Sequence, residues 1–109
     1  MDGAYLGRAD GSVPGLANVD PVPYVEQWKA AQVGDWARVS ELQDYLADLM
    51  AITSVVKGVQ GFGGGVGAFK TALWLQGIFS SNQMPRPVAA LEGRNVEAIR
   101  EVLVEQGLL

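Results

Sequence analysis

Gly11-Ser12-Val13-Pro14-Gly15-Leu16-Ala17-Asn18 is the stretch on which the fold reading turns. It is short, apolar and bounded by turn residues, which suits a strand buried on both faces. It is the one good strand candidate ahead of a series of helices. Pro14 donates no ladder hydrogen bond, which counts against that reading.

Downstream, Asn18-Val19-Asp20-Pro21 sets a capping side chain before a first-turn proline, so a helix is expected from about Pro21 to Val33. Its inner face is expected to carry Val25, Trp28 and Ala31 or Gln32, and Gly34 stands where a left-handed cap is needed. Asp35 then caps the most regular helix of the chain. Trp36, Val39, Leu42, Leu46, Leu49, Met50 and Thr53 follow helical spacing there, and Arg38, Glu41, Asp44 and Asp48 fall elsewhere. The β-branched run Ile52 to Val56 is read as its last turns.

Seven of the fourteen glycines lie between Gly58 and Gly77. Each costs a helix about 1 kcal/mol relative to Ala, so Gly61-Phe62-Gly63-Gly64-Gly65-Val66-Gly67 is expected to be a loop. A third helix begins near Val66 or Gly67, with Phe69, Leu73, Trp74 and Ile78 at core spacing. Ser80 to Pro87 is a link in which Pro85 and Pro87 forbid helix. The last helix starts near Asn95, buries Val96, Ile99, Val102 and Leu103, and stops before Gly107.

The 109 residues, 49% of them hydrophobic and 18% charged, are enough for one domain or a piece of a larger one. Eight Lys and Arg against twelve Asp and Glu give a net charge of -4 with scattered basic residues, which argues against a nucleic-acid partner. The absence of Cys and His removes thiol nucleophiles, zinc fingers and Ser-His-Asp triads. No cofactor and no metal are expected. Met1-Asp2-Gly3 opens no signal-peptide pattern, and the uncharged stretch from Thr71 to Pro85 is too short and too polar to span a bilayer. A cytoplasmic location with no membrane partner is expected.

Several patterns invite a chemical reading and favour a plainer one. Glycines running into Lys70-Thr71 suggest a phosphate loop, but Phe69 before the lysine blocks the approach of backbone to phosphate. Gly63-Gly64-Gly65-Val66-Gly67 fits a dinucleotide pattern only loosely, with Ala68 at the third glycine position; a flexible connector is favoured. Lys57 and Lys70 could form a Schiff base in principle, and the commoner case is a solvated amine over an apolar stem. Glu97, Glu101 and Glu105 form an i, i+4 row that reads as a solvated face. Trp28, Trp36 and Trp74 read as core or subunit contact.

Taken in order, these signals resemble the C-terminal portion of the dihydrodipicolinate synthase/N-acetylneuraminate lyase family of Schiff-base (β/α)8-barrel enzymes. Gly11 to Pro21 is similar to the family's eighth strand and the turn after it. Gly34-Asp35, Phe69-Lys70-Thr71-Ala72-Leu73 with Gly77-Ile78, Met84-Pro85-Arg86-Pro87-Val88 and Gln106-Gly107-Leu108-Leu109 look like the family's later turns, its Lys-containing helix, its Arg-x-Pro link and its end. Gly58 to Gly67 departs from the family's proline-containing link.

The resemblance implies a mainly α chain: the last strand and helix of a TIM barrel in residues 1–34, then the C-terminal helical extension in residues 35–109. A full barrel takes about 250 residues, so this is a partial barrel. It implies a 2-keto acid such as pyruvate as the intact enzyme's substrate, with Val13, Pro14 and Gly15 at the substrate site. The family's Schiff-base lysine and catalytic tyrosine have no counterpart here, Lys70 matches a different helical lysine, and the portion alone is expected to be inactive. A homo-oligomer is expected. The alternative from another class is a free-standing helical interaction module without catalysis.

Overall fold

In the computed structural model, which describes residues 1–109, Leu16 and Val19 are buried, but not as part of a strand. Gly15–Asn18 is a 3-10 helix: the Ala17 amide donates to the Pro14 carbonyl at 3.1 Å and the Val19 amide to the Leu16 carbonyl at 2.9 Å. The Asn18 side-chain amide bonds back to the Gly15 carbonyl at 2.9 Å. These local bonds offer the backbone an alternative to a ladder, and the strand expected over Gly11 to Asn18 does not form. Pro14, just before that helix, is extended, at φ -78° and ψ 135°. No other strand is present, and the chain is mainly helical.

The helices are α1 (Asp2–Leu6), α2 (Val22–Gln32), α3 (Trp36–Leu49), α4 (Ala51–Ser54), α5 (Gly61–Leu75) and α6 (Arg94–Glu105). Two compact units share them, Met1–Asp48 and Leu49–Leu109.

In the first unit α1 packs on α2. The start of α2 has no side-chain cap, contrary to the expected one. Asn18 is spent on Gly15, and Asp20 accepts instead from the Tyr45 hydroxyl at 2.9 Å. The buried face of α2 is Pro23, Gln27 and Ala30, not the expected Val25 set; Val25 is half exposed. The period was right and the face was rotated, because a glutamine lies at its centre. Gln27 is fully buried and its amide donates to the Val39 carbonyl and to Gln43 Oε1, each at 3.1 Å.

Gly34 ends α2 as expected. Its φ of 73° lets the Asp35 amide reach the Ala30 carbonyl at 2.9 Å and its own amide reach the Ala31 carbonyl at 3.1 Å, the paired bonds of a Schellman turn. Asp35 then accepts from the Arg38 amide at 3.2 Å as the cap of α3. Val39, Leu42, Leu46 and Leu49 are buried on that helix, as their spacing predicts.

In the second unit α4, α5 and α6 pack on one another. The helix expected to run to Val56 breaks at Met50 and ends at Ser54. The Thr53 and Ser54 hydroxyls bond back to the Met50 and Ala51 carbonyls at 2.9 and 3.1 Å, a competition typical of mid-helix hydroxyls.

The glycine-rich stretch is the largest correction. It is not a loop: α5 starts at Gly61 and includes every glycine through Gly67. A Cβ on Gly63 would stand 3.0 Å from Val59 Cγ1, and one on Gly67 would stand 3.3 Å from Leu91 Cγ. The missing side chains let neighbouring segments approach the helix, and that packing offsets the propensity cost.

Beyond α5, the Asn82 side-chain amide donates to Thr71 Oγ1 at 3.1 Å and to the Leu91 carbonyl at 2.8 Å, which ties the irregular link to the helix. Met84 and Leu91 are buried along it. On α6, Val96, Ile99, Val102 and Leu103 are buried as expected.

Candidate functional site

The residues that the family resemblance points to, Val13, Pro14 and Gly15, are consecutive but do not share a surface. Val13 is fully exposed, at 102% of its reference area. Pro14 is half-buried, and Gly15 opens the 3-10 helix. No backbone hydrogen bond holds Gly11, Ser12 or Val13. Side chains on extended backbone alternate between faces. Ser12 and Pro14 accordingly line one hollow while Val13 does not.

That hollow, about 380 Å³, lies within the first unit. Its aromatic lining is Tyr5 from α1 with Tyr24 and Trp28 from α2, one helical turn apart. The Tyr5 and Trp28 rings meet edge to face, with centroids 5.5 Å apart and planes at 67°. The Tyr5 and Ser12 hydroxyls are hydrogen-bonded at 2.8 Å, which fixes the extended segment to α1. Burial, and then the neighbouring Tyr5 phenol, raise the pKa of Tyr24, so its hydroxyl stays protonated. Asp10 lines the same hollow and forms no ion pair, and no lysine or arginine lines it.

The remaining candidates are dispersed. Lys70 lies well inside α5, where its ammonium donates to the Gln83 carbonyl at 3.2 Å; Lys57 is exposed. With Gly61 to Gly67 helical, those backbone amides do not form a loop that could cradle a phosphate. Glu97, Glu101 and Glu105 are exposed, and Glu97 pairs with Arg100 at 3.3 Å. Trp36 and Trp74 are 41% and 37% exposed, and Trp28 is half-buried. No group of carboxylates is placed to hold a metal ion. No helix is long and apolar enough to cross a membrane.

A broader hollow of about 900 Å³ in the second unit is lined by Trp74, Asn82, Leu91, Arg94 and Arg100 among others. Its chemistry is mixed, and part of its charge is neutralised by the Arg100–Glu97 pair. Sequence reasoning missed the aromatic hollow of the first unit. The i, i+4 spacing of Tyr24 and Trp28 was its one local signal; the contribution of Tyr5 depends on how α1 docks. Compared with known protein families the chain matches none, and no curated protein matches it.

Proposed function

We propose that this chain supplies the closing strand segment and the C-terminal helices of a Schiff-base lyase acting on pyruvate or a related 2-keto acid. The observation that carries the reading is Val13: an apolar side chain fully exposed on an extended segment with no ladder partner. A barrel strand separated from its neighbours would leave its backbone unpaired and its inward residue bare. In the intact barrel Val13 would then face the keto acid, with Pro14 and Gly15 following it in the chain and Pro14 turned to the other face. A lysine from another strand would add to the ketone carbon and expel water to give an imine. Loss of a proton gives an enamine that makes or breaks a carbon-carbon bond. The chain has no group placed for that lysine's role. The reading carries with it a cytoplasmic, oligomeric enzyme.

The rival is a free-standing helical interaction module, favoured by the apolar residues at the end of α5 and just beyond it, where Trp74, Ile78 and Phe79 are 37%, 62% and 43% exposed. Co-expression with the N-terminal barrel portion of a family lyase separates the two. After incubation with pyruvate and borohydride, the reading predicts a reduced pyruvate adduct on the barrel lysine only when this chain is present. A stable complex that forms no adduct, or no complex at all, would favour the module.

A further inference from the structure

The aromatic hollow is built for a different kind of ligand from a keto acid. Its lining includes three aromatic rings, the Asp10 carboxylate, the Ser12 hydroxyl and two prolines, and no lysine or arginine. Ring faces carry the negative end of the aromatic quadrupole and attract cations, most strongly when the cation is large and weakly hydrated. Tyr5 is buried and meets Trp28 edge to face at 67°, so it backs the hollow, and the half-buried Trp28 and Tyr24, one helical turn apart, carry the exposed ring surface. Tyr24 keeps its proton, so the wall is a neutral phenol. Arg8 lines an adjoining hollow that shares Tyr5, Asp10 and Trp28 with this one, and it forms no ion pair with Asp10. At about 380 Å³ the hollow falls at the lower end of small-molecule sites, which run from about 300 to 1,000 Å³.

We propose that the hollow formed by Tyr5, Tyr24, Trp28 and Asp10 binds the quaternary ammonium head of a small molecule. The rings receive the methylated nitrogen and Asp10 supplies the opposing charge. Ser12 and Pro14 close one side, and Val13, on the opposite face of the same extended segment, is left to the keto acid of the proposed lyase. The two ligands differ in charge and face, so the ammonium site stands or falls independently of the lyase reading.

Titration of the chain with choline, followed on the NMR signal of the Trp28 indole N–H, tests the proposal. A saturable shift is expected. The uncharged isostere 3,3-dimethylbutan-1-ol should bind about tenfold more weakly, the scale of a partly desolvated cation–π contact. Tyr24→Phe, which keeps the ring, should retain choline; Tyr24→Leu and Asp10→Asn should each weaken it severalfold while the far-ultraviolet dichroism stays unchanged. Equal binding of choline and the neutral isostere would overturn the proposal, as would a shift that never saturates. A trimethyl-lysine peptide that binds more than about tenfold tighter than choline would overturn the assignment to a small molecule. Because the readout needs neither pyruvate nor the barrel lysine, its failure is distinguishable from failure of borohydride trapping.

Discussion

Gly64 lies against the Val59 carbonyl so closely that a Cβ at that position would stand 2.8 Å from the oxygen. Its neighbour Gly65 has nothing within 4 Å of the same construction. The two glycines therefore give opposite results on substitution. Gly64→Ala should destabilise the chain by about 1–3 kcal/mol, because backbone must move to admit the methyl group. Gly65→Ala should stabilise it by about 0.5–1 kcal/mol through helix propensity. Urea unfolding of both variants checks this, and equal effects would contradict the packing account of α5.

The glycine-rich helix also shows where sequence reasoning stops. Propensity alone makes Gly61 to Gly67 a loop, and it becomes helix because Val59, Val88 and Leu91 fill the space that side chains would take. Val88 and Leu91 lie outside the local window. The elements whose signals are local, the Gly34 turn, the Asp35 cap, the α6 stripe and the middle of the α3 stripe, were legible, while Trp36 and Met50 at the ends of the α3 stripe are exposed. The buried face of α2 was not, since Gln27 reads as a surface residue until the Val39 carbonyl is placed against it. Of the residues the sequence named, Pro14 lines the aromatic hollow and Val13 does not; the hollow itself was not legible, because it depends on how Tyr5 of α1 docks on Tyr24 and Trp28 of α2.

Gln27 Oε1 has no hydrogen-bond partner, while the amide nitrogen has two acceptors. A carboxylate in its place would face the Val39 carbonyl and Gln43 Oε1 with no donor to offer. Gln27→Glu should cost about 3–5 kcal/mol at neutral pH, the cost of an uncompensated buried charge. Burial raises the pKa of such a carboxyl in the folded state, so the loss should shrink as pH falls and the group gains a proton to donate. Thermal melts at several pH values measure it. A loss that does not change with pH would contradict the assignment of Gln27 Nε2 as donor.

Tyr45 donates to Asp20 Oδ2 at 2.9 Å, and burial followed by that bond and the Asp20 charge pushes its pKa up to about 12. A phenol whose folded pKa lies above its unfolded value contributes stability below the unfolded value, about 10, and loses it as pH rises toward 12. Alkaline titration of phenolate absorbance should show one late step, absent in Tyr45→Phe. At neutral pH the same variant should lose about 0.5–1.5 kcal/mol.

Asn95 clamps Lys57 from both sides of one residue. Its Oδ1 accepts from the Lys57 amide at 2.9 Å and its Nδ2 donates to the Lys57 carbonyl at 3.0 Å. Asn95→Ala removes both bonds and should destabilise the chain by about 1–2 kcal/mol. Faster amide exchange at Lys57 would accompany the loss; unchanged exchange there would contradict the clamp.

Amide hydrogen exchange at Ser12 and Val13 tests the proposal that this segment is a barrel strand without its neighbours. In the chain alone neither amide has a backbone partner, and both should exchange at nearly the rate of an unstructured peptide. In complex with the barrel portion of a family lyase the Val13 and Ser12 amides should slow by orders of magnitude as the ladder forms. A stable complex in which both amides still exchange freely would contradict the account.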